Sequence, residues 1–471
     1  MIAGITVALA ICVVLFGLSV RRPQWGVLAM TALMPFHGLL LIYPVTVSFW
    51  KEAAVLAILV ACLFARRMPR TRTVVAPWLL PLIVLVPLGV ISALIVHGAD
   101  AFFPLKIAFF YILLAVVAVM FPFTRRDKDV FVSILIVTGV LSSLYGIWQQ
   151  FAGPFALADM GYEWNEHIRS AGPLLRSFGT FNQPFPFGLF LMLVIIVGTA
   201  TALAEPHRLR SRLFLLAFPV LGLGMVLSVV RASYVGVVVG LILIGVLLYR
   251  RFLGWLGVAA AGGVLALAAT AAVFGSAVVS TFFSSSSLED RGGHWTTNVP
   301  LILTQPFGQG LGTTGSSAAK VSDGWDPAAP LYQPDSNIIK ILLELGPLGF
   351  ALYVAVVLLM VIPLTRMIPL TTDPLERGLL GGVVAATLAA CVAALFSTYL
   401  EIFPMDAYFW LFPAVAGSTS LTVRNQISGR LRLPRPAILS THRTRSTTAA
   451  IRSRNAASEN PSANRVNSET E

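Results

Sequence analysis

The sequence predicts an all-α polytopic membrane protein with about 12–13 transmembrane helices and one large extracytoplasmic loop. Composition gives the first indication: 57% of residues are hydrophobic and only 11% charged. Soluble domains carry roughly 25% charged residues, so a globular fold would have too little ionic surface to cover its core. The second indication is a train of long apolar runs, and the third is the placement of basic residues between them.

A spanning helix needs about 20 mostly apolar residues. By that measure spans fall near 2–20, 26–44, 52–65, 76–96, 102–122, 130–150, 184–203, 213–230, 233–249, 253–276, 338–363, 378–398 and 404–421, the third being short. The first run lacks a basic leader and an A-x-A cleavage site, so it reads as a retained span.

Basic clusters then test the list. They are Arg21-Arg22, Arg66-Arg67 with Arg70 and Arg72, Arg125-Arg126 with Lys128, Arg208 with Arg210 and Arg212, Arg250-Arg251, Arg366 with Arg377, and nine Arg from Arg424 onward. Every one falls in an alternate gap, as cytoplasmic loops should. The expected topology is an N-terminus outside and a C-terminus inside a bacterial inner membrane. The excess of 33 Lys+Arg over 21 Asp+Glu reports orientation and attraction to anionic lipid, not nucleic-acid binding.

Two regions follow: a transmembrane domain over 1–423, with its large loop at 277–337, and a tail over 424–471. The tail is rich in Arg, Ser, Thr, Asn and Ala without apolar period, which predicts disorder against anionic headgroups. The large loop holds Trp295, Trp325 and Tyr332 among Pro and Gly, which predicts a structured cap over a cavity. A second long outer segment runs over 151–183. No internal repeat indicates two inverted transporter halves.

Cys12, Cys62 and Cys391 sit inside apolar runs without His partners, so they read as buried small hydrophobes, and neither disulfide nor metal is expected. Sequence motifs for hydrolases and metalloproteases are missing. Gly308-x-Gly310-x-Gly312 has no preceding strand and no following Lys-Ser/Thr, and reads as turn chemistry rather than a nucleotide loop.

Ionisable residues near spans are costly and therefore candidates for function. They gather at the outer ends: Lys51, Glu52, Lys106, Arg231, Lys340, Glu344, Glu401 and Asp406, with inner depths nearly free of charge. Asn337, Lys340 and Glu344 form one helical stripe, with Lys340 and Glu344 spaced to pair at i, i+4. Such a pair either lines a cavity or merely locks helix packing. Gly346-Pro347 should bend that helix and release carbonyls. Arg231 interrupts an apolar stretch beside Ser228, Ser233 and Tyr234; it is either a phosphate-gripping guanidinium or a snorkelling anchor. In the large loop, Arg291, His294 and Asn298 share a face if helical, suited to an anionic ligand or simply to solvent.

In sequence order, Arg176-Ser-Phe-Gly179-Thr-Phe181-Asn-Gln-Pro184, Ser-Val-Val-Arg231-Ala-Ser, Arg291-x-x-x-Trp295, Gln-Pro306-Phe-Gly308-x-Gly310-x-Gly312 and Asp335-Ser-Asn337 leading into Leu-Glu-Leu-Gly346-Pro-Leu-Gly349 resemble the O-antigen ligase and O-antigen polymerase family. The resemblance covers roughly 170–400. It implies a fold similar to the C-type membrane glycosyltransferases and transfer of a glycan from an undecaprenyl-pyrophosphate carrier to an acceptor hydroxyl, without metal, nucleotide-sugar or other cofactor. It assigns Arg176, Arg231 and Arg291 to the carrier pyrophosphate. Ligase members place a histidine at the end of the large loop, where this chain has Asp335 and Asn337. A carboxylate can take a hydroxyl proton, and His294 would be the alternative, as a displaced substitute for the family histidine. The departure favours a polymerase, or a capsule or exopolysaccharide assembly enzyme, over a ligase. Partners would be the lipid-linked oligosaccharide, anionic lipid and other polysaccharide-assembly proteins. A secondary transporter for a small anion is the alternative.

Overall fold

The computed structural model describes residues 2–42, 46–65, 72–165, 167–171, 174–258, 261–262, 298–300, 302–315, 318, 334 and 336–420. All of them belong to one compact unit, Met1–Gly429. Arg291, His294 and Asp335, the loop residues Trp295, Trp325 and Tyr332 and the tail over 424–471 lie outside the described residues, as does most of the span expected at 253–276.

The described helices are α1 (Ile2–Arg21), α2 (Pro23–Leu33), α3 (His37–Ile42), α4 (Trp50–Phe64), α5 (Leu79–His97), α6 (Phe102–Phe109), α7 (Ile112–Met120), α8 (Arg125–Asp159), α9 (Pro184–Ala204), α10 (Leu209–Leu227), α11 (Arg231–Leu247), α12 (Asn337–Met367), α13 (Pro374–Ala393) and α14 (Met405–Ala416). Residues 250–258 are helical as well. Four short strands pair antiparallel, β1 (Arg72–Val74) with β4 (Ser418–Ser420) and β2 (Ser170–Ala171) with β3 (Leu174–Leu175). The chain is an all-α multi-pass membrane protein.

The all-α multi-pass character is as expected, and the described residues account for part of the expected 12–13 spans. Eight described segments are long and apolar enough to cross a membrane: 3–21, 23–42, 79–109, 125–159, 184–204, 209–227, 337–370 and 374–393. Other apolar runs form shorter helices of 15, 9, 17 and 12 residues, α4, α7, α11 and α14. Gly98, at φ 55 and ψ −119, ends α5, and a short 3-10 turn joins it to α6.

α9 and α13 form the centre of the bundle. Most residues of both are buried, in contrast to the two apolar faces that α1 and α10 leave exposed. Small residues permit the close approach. A Cβ on Gly378 would lie 2.9 Å from the Ala200 carbonyl, and one on Gly382 would lie 3.2 Å from Val197 Cα. The three thiols are unpaired and half-buried, on helix flanks rather than in the interior expected for them.

The basic clusters assigned to alternate gaps meet one another in space. Arg22 pairs with Asp127 at 3.2 Å, Arg125 with Glu205 at 2.8 Å and with Asp373 at 2.6 Å, and Arg210 with Glu205 at 3.2 Å and also with Asp129. Arg72 pairs with Glu376, which also faces Lys128 at 3.6 Å. Every described ion pair of this group joins residues from gaps of the same parity, which is what alternating helix direction requires. Burial favours the neutral acid at Asp373, but the Glu376 backbone N–H and the Arg125 guanidinium outweigh it and hold the carboxyl below its ordinary range.

Two residues of the cluster at the start of α8 are buried: Lys128 is 1% exposed and Asp127 3%. Lys128 Nζ donates to the Ser418 carbonyl at 2.6 Å, and Asp127 closes a capping box with Thr124 at the start of α8. Sequence distance hid these partners: Ser418, on β4, and Glu376, in the first turn of α13, are remote from Lys128 in the chain.

Candidate functional site

Helices α4, α9, α11 and α12 all begin at the end opposite the basic clusters. There the outer charges singled out above fall into two groups.

The first surrounds Arg176. After α8 the chain forms a small outer layer in which Leu157, Tyr162, Ile168, Leu175 and Phe178 pack together. The β2–β3 hairpin in this layer brings Arg169 back beside Arg176, whose backbone N–H donates to the Arg169 carbonyl at 2.8 Å. Two adjacent glutamines of α8 hold the following loop. Gln149 Oε1 accepts from the Phe178 and Gly179 N–H groups at 3.1 and 3.0 Å, and Gln150 Nε2 donates to the Leu175 carbonyl and Ser177 Oγ.

Arg231 enters from the break between α10 and α11. Val229 there has φ 50, the left-handed region that a β-branched residue rarely adopts. Arg176 Nη2 points at the Val229 carbonyl at 3.4 Å, and Ser177 N–H donates to the Leu227 carbonyl at 2.9 Å. Arg176 stacks over Phe185 at 4.9 Å and makes no ion pair among the described residues. Its burial, then the neighbouring Arg169 and Arg231 charges, lower its pKa from the ordinary guanidinium value, while a guanidinium still remains charged at any working pH. Like charges held this close, on a strained backbone, suit a multiply charged anion.

Arg169, Gln149 and Gln150 were missed in the sequence. The glutamine pair had a readable signal, two adjacent amides at the end of an apolar span; Arg169 had none, because only the hairpin register brings it to Arg176.

The second group lines a cavity of about 90 Å³ bordered by Lys340, Glu344, Glu401, Asp406, Phe109 and Trp410. Lys340 and Glu344 do pair as their spacing predicts, at 3.5 Å, but Glu401 is the closer partner of Lys340 at 2.7 Å. Glu344 accepts from the Thr314 N–H and hydroxyl at 3.2 and 3.1 Å. Asn337, also at the cavity wall, is buried and fixes the start of α12 through its N–H to the Ala394 carbonyl at 2.9 Å. Near Asp406, Glu52 pairs with Lys106 at 3.0 Å and accepts from Tyr111 at 3.3 Å, and Lys51 lies 3.2 Å from His37 and over the Phe403 ring. Among the described residues no three His, Cys, Asp or Glu side chains converge as metal ligands.

The glycine run is structural, as its sequence predicts. Gly308, Gly310 and Gly312 all have positive φ. α12 breaks at Gly346 (φ 67), and Pro347 has no N–H to give the Leu343 carbonyl four residues earlier. Gln309 N–H takes that carbonyl at 2.7 Å, and Gly310 N–H takes the Glu344 carbonyl at 3.0 Å. The run thus satisfies the helix break and fixes the height of Glu344 beside the cavity.

The segment 214–354 spans the Arg231 break, the glycine run and the Lys340–Glu344 stripe, and it matches the family model described as O-antigen ligase. No curated protein matches the chain. The landmarks read in sequence order and the family match converge on the same stretch, which is similar to the O-antigen ligase family.

Proposed function

We propose that this protein transfers a glycan from an undecaprenyl-pyrophosphate carrier to an acceptor hydroxyl on the outer face of a bacterial inner membrane, iteratively, as a polymerase. The family works in cell-envelope polysaccharide assembly of ligase or polymerase type, on lipid-linked oligosaccharide. The observation that carries the finer reading is Arg176 reaching the Val229 carbonyl at the α10–α11 break, two residues before Arg231, and feeling the charges of Arg169 and Arg231.

When the glycosidic bond to the carrier breaks, negative charge builds on the departing pyrophosphate. Guanidiniums already positioned there stabilise that charge without reorganising, and one such contact is typically worth about 3 kcal/mol. Arg291, from the large loop, would complete the clamp. Asp335 would take the acceptor proton, with Asn337 orienting the hydroxyl and His294 as the substitute base. Lys340 and Glu344 belong to the neighbouring cavity wall. In this reading a metal has no task, since the arginines supply the positive charge. The C-terminal tail faces the cytoplasm, against anionic lipid.

The test is transfer in proteoliposomes holding the purified protein and undecaprenyl-pyrophosphate-linked oligosaccharide from its own host, with no nucleotide-sugar and with chelator present. A ladder of lengthening lipid-linked glycan is expected. A single jump to a different acceptor would make the protein a ligase. Uptake of a labelled anion without any transfer would replace the reading with a transporter.

A further inference from the structure

A groove at the basic end has no part in that chemistry. It lies between the start of α2 and the first turn of α8, has a volume of about 290 Å³, and is lined by Arg22, Trp25, Leu28, Arg126, Asp127 and Val130. We infer that it binds an anionic glycerophospholipid, the phosphate between Arg22 and Arg126 and the acyl chains along Leu28 and Val130.

Arg22 is fixed before any ligand arrives. Its Nη2 donates to both Asp127 oxygens, at 3.2 and 3.3 Å, and its guanidinium covers the Trp25 ring at 5.3 Å. Asp127 in turn accepts from the Thr124 N–H and hydroxyl at 2.9 and 2.7 Å, so its negative charge is already shared among protein donors. Arg126 is exposed and joins none of the ion pairs among the described residues. The groove therefore keeps a net positive charge facing outward.

Its walls identify the source of the anion. Trp25 is 41% exposed and Val130 40%, on helices apolar enough to cross the membrane. Their free surface faces lipid, and an indole at this height marks the headgroup boundary. A basic site between helix ends with an apolar floor matches a phospholipid, which fills both halves; a free phosphate fills only one.

The experiment is native mass spectrometry of the full-length protein, delipidated in detergent and supplied with phosphatidylglycerol or phosphatidylcholine. Retention of phosphatidylglycerol is expected to exceed that of phosphatidylcholine by at least about fivefold, the contribution of one arginine near a charged headgroup. Arg126→Gln, which breaks no described ion pair, is expected to remove most of that preference. Millimolar inorganic phosphate is expected to leave the lipid bound. Equal retention of both lipids, an unchanged preference in Arg126→Gln, or displacement by phosphate would each overturn the assignment.

Discussion

The two polar ends of the bundle treat charge in opposite ways. At the basic end, Arg22, Arg72, Arg125, Lys128 and Arg210 each have an acidic partner, and Glu205 and Glu376 each serve more than one base. At the other end, Arg176 feels the charges of Arg169 and Arg231 and makes no ion pair among the described residues. A separate cavity holds Lys340 with Glu344 and Glu401, and Asp406 lines the same cavity. Charges that mutually satisfy one another hold helices in place. Val229, on the strained backbone just before Arg231, is held by the surrounding fold.

Substitutions can break this contrast. The largest effect is expected for Arg176→Ala and Arg231→Ala, and for Arg291→Ala in the large loop. Each should lower glycan assembly by about 10²- to 10³-fold while the protein still inserts and accumulates, as read from glycan length and membrane abundance. Normal length in all three would end the clamp reading. At the basic end the reverse pattern is expected. Glu376→Ala strands Lys128, with only the Ser418 carbonyl for company, and should cost about 3 kcal/mol of stability, read as a lower unfolding temperature in detergent. Transfer per folded molecule should be unchanged.

A smaller stability effect is expected between the two regions. A Cβ on Gly346 would collide with the Pro306 carbonyl at a backbone φ of 67, so Gly346→Ala should destabilise by about 1–3 kcal/mol. Because the same break sets Glu344, transfer should also drop in the protein that remains folded; unchanged transfer would separate the cavity from the reaction. The smallest effect is expected for Arg169→Ala, roughly tenfold in transfer, equivalent to about 1.4 kcal/mol. An effect equal to that of Arg176→Ala would promote Arg169 to a full member of the clamp.

Much of the architecture could be read directly from the chain. Apolar run length and alternating basic gaps specified helical, multi-pass character, and the ion pairs of the basic end join the gaps that alternation put on one side. The Gly346-Pro347 break and the turn character of the glycine run were equally legible, because proline's missing N–H and glycine's access to positive φ are local properties. The Lys340–Glu344 pair followed from helical spacing alone. The break at Gly98 was legible as well, since the apolar runs 76–96 and 102–122 stop on either side of it.

Partners that meet only on folding stayed hidden. Glu401 as the nearer partner of Lys340, Ser418 and Glu376 around Lys128, and Arg169 beside Arg176 all depend on packing between distant segments. What the sequence determined by itself was therefore everything set by composition, local backbone preference and i, i+4 spacing: the solvent each helix prefers, where the backbone must bend, and which end carries which sign. Tertiary structure decided which charges meet. A charge's neighbours are fixed by distances of a few ångströms, and those are set by helix packing and strand register across hundreds of residues of chain.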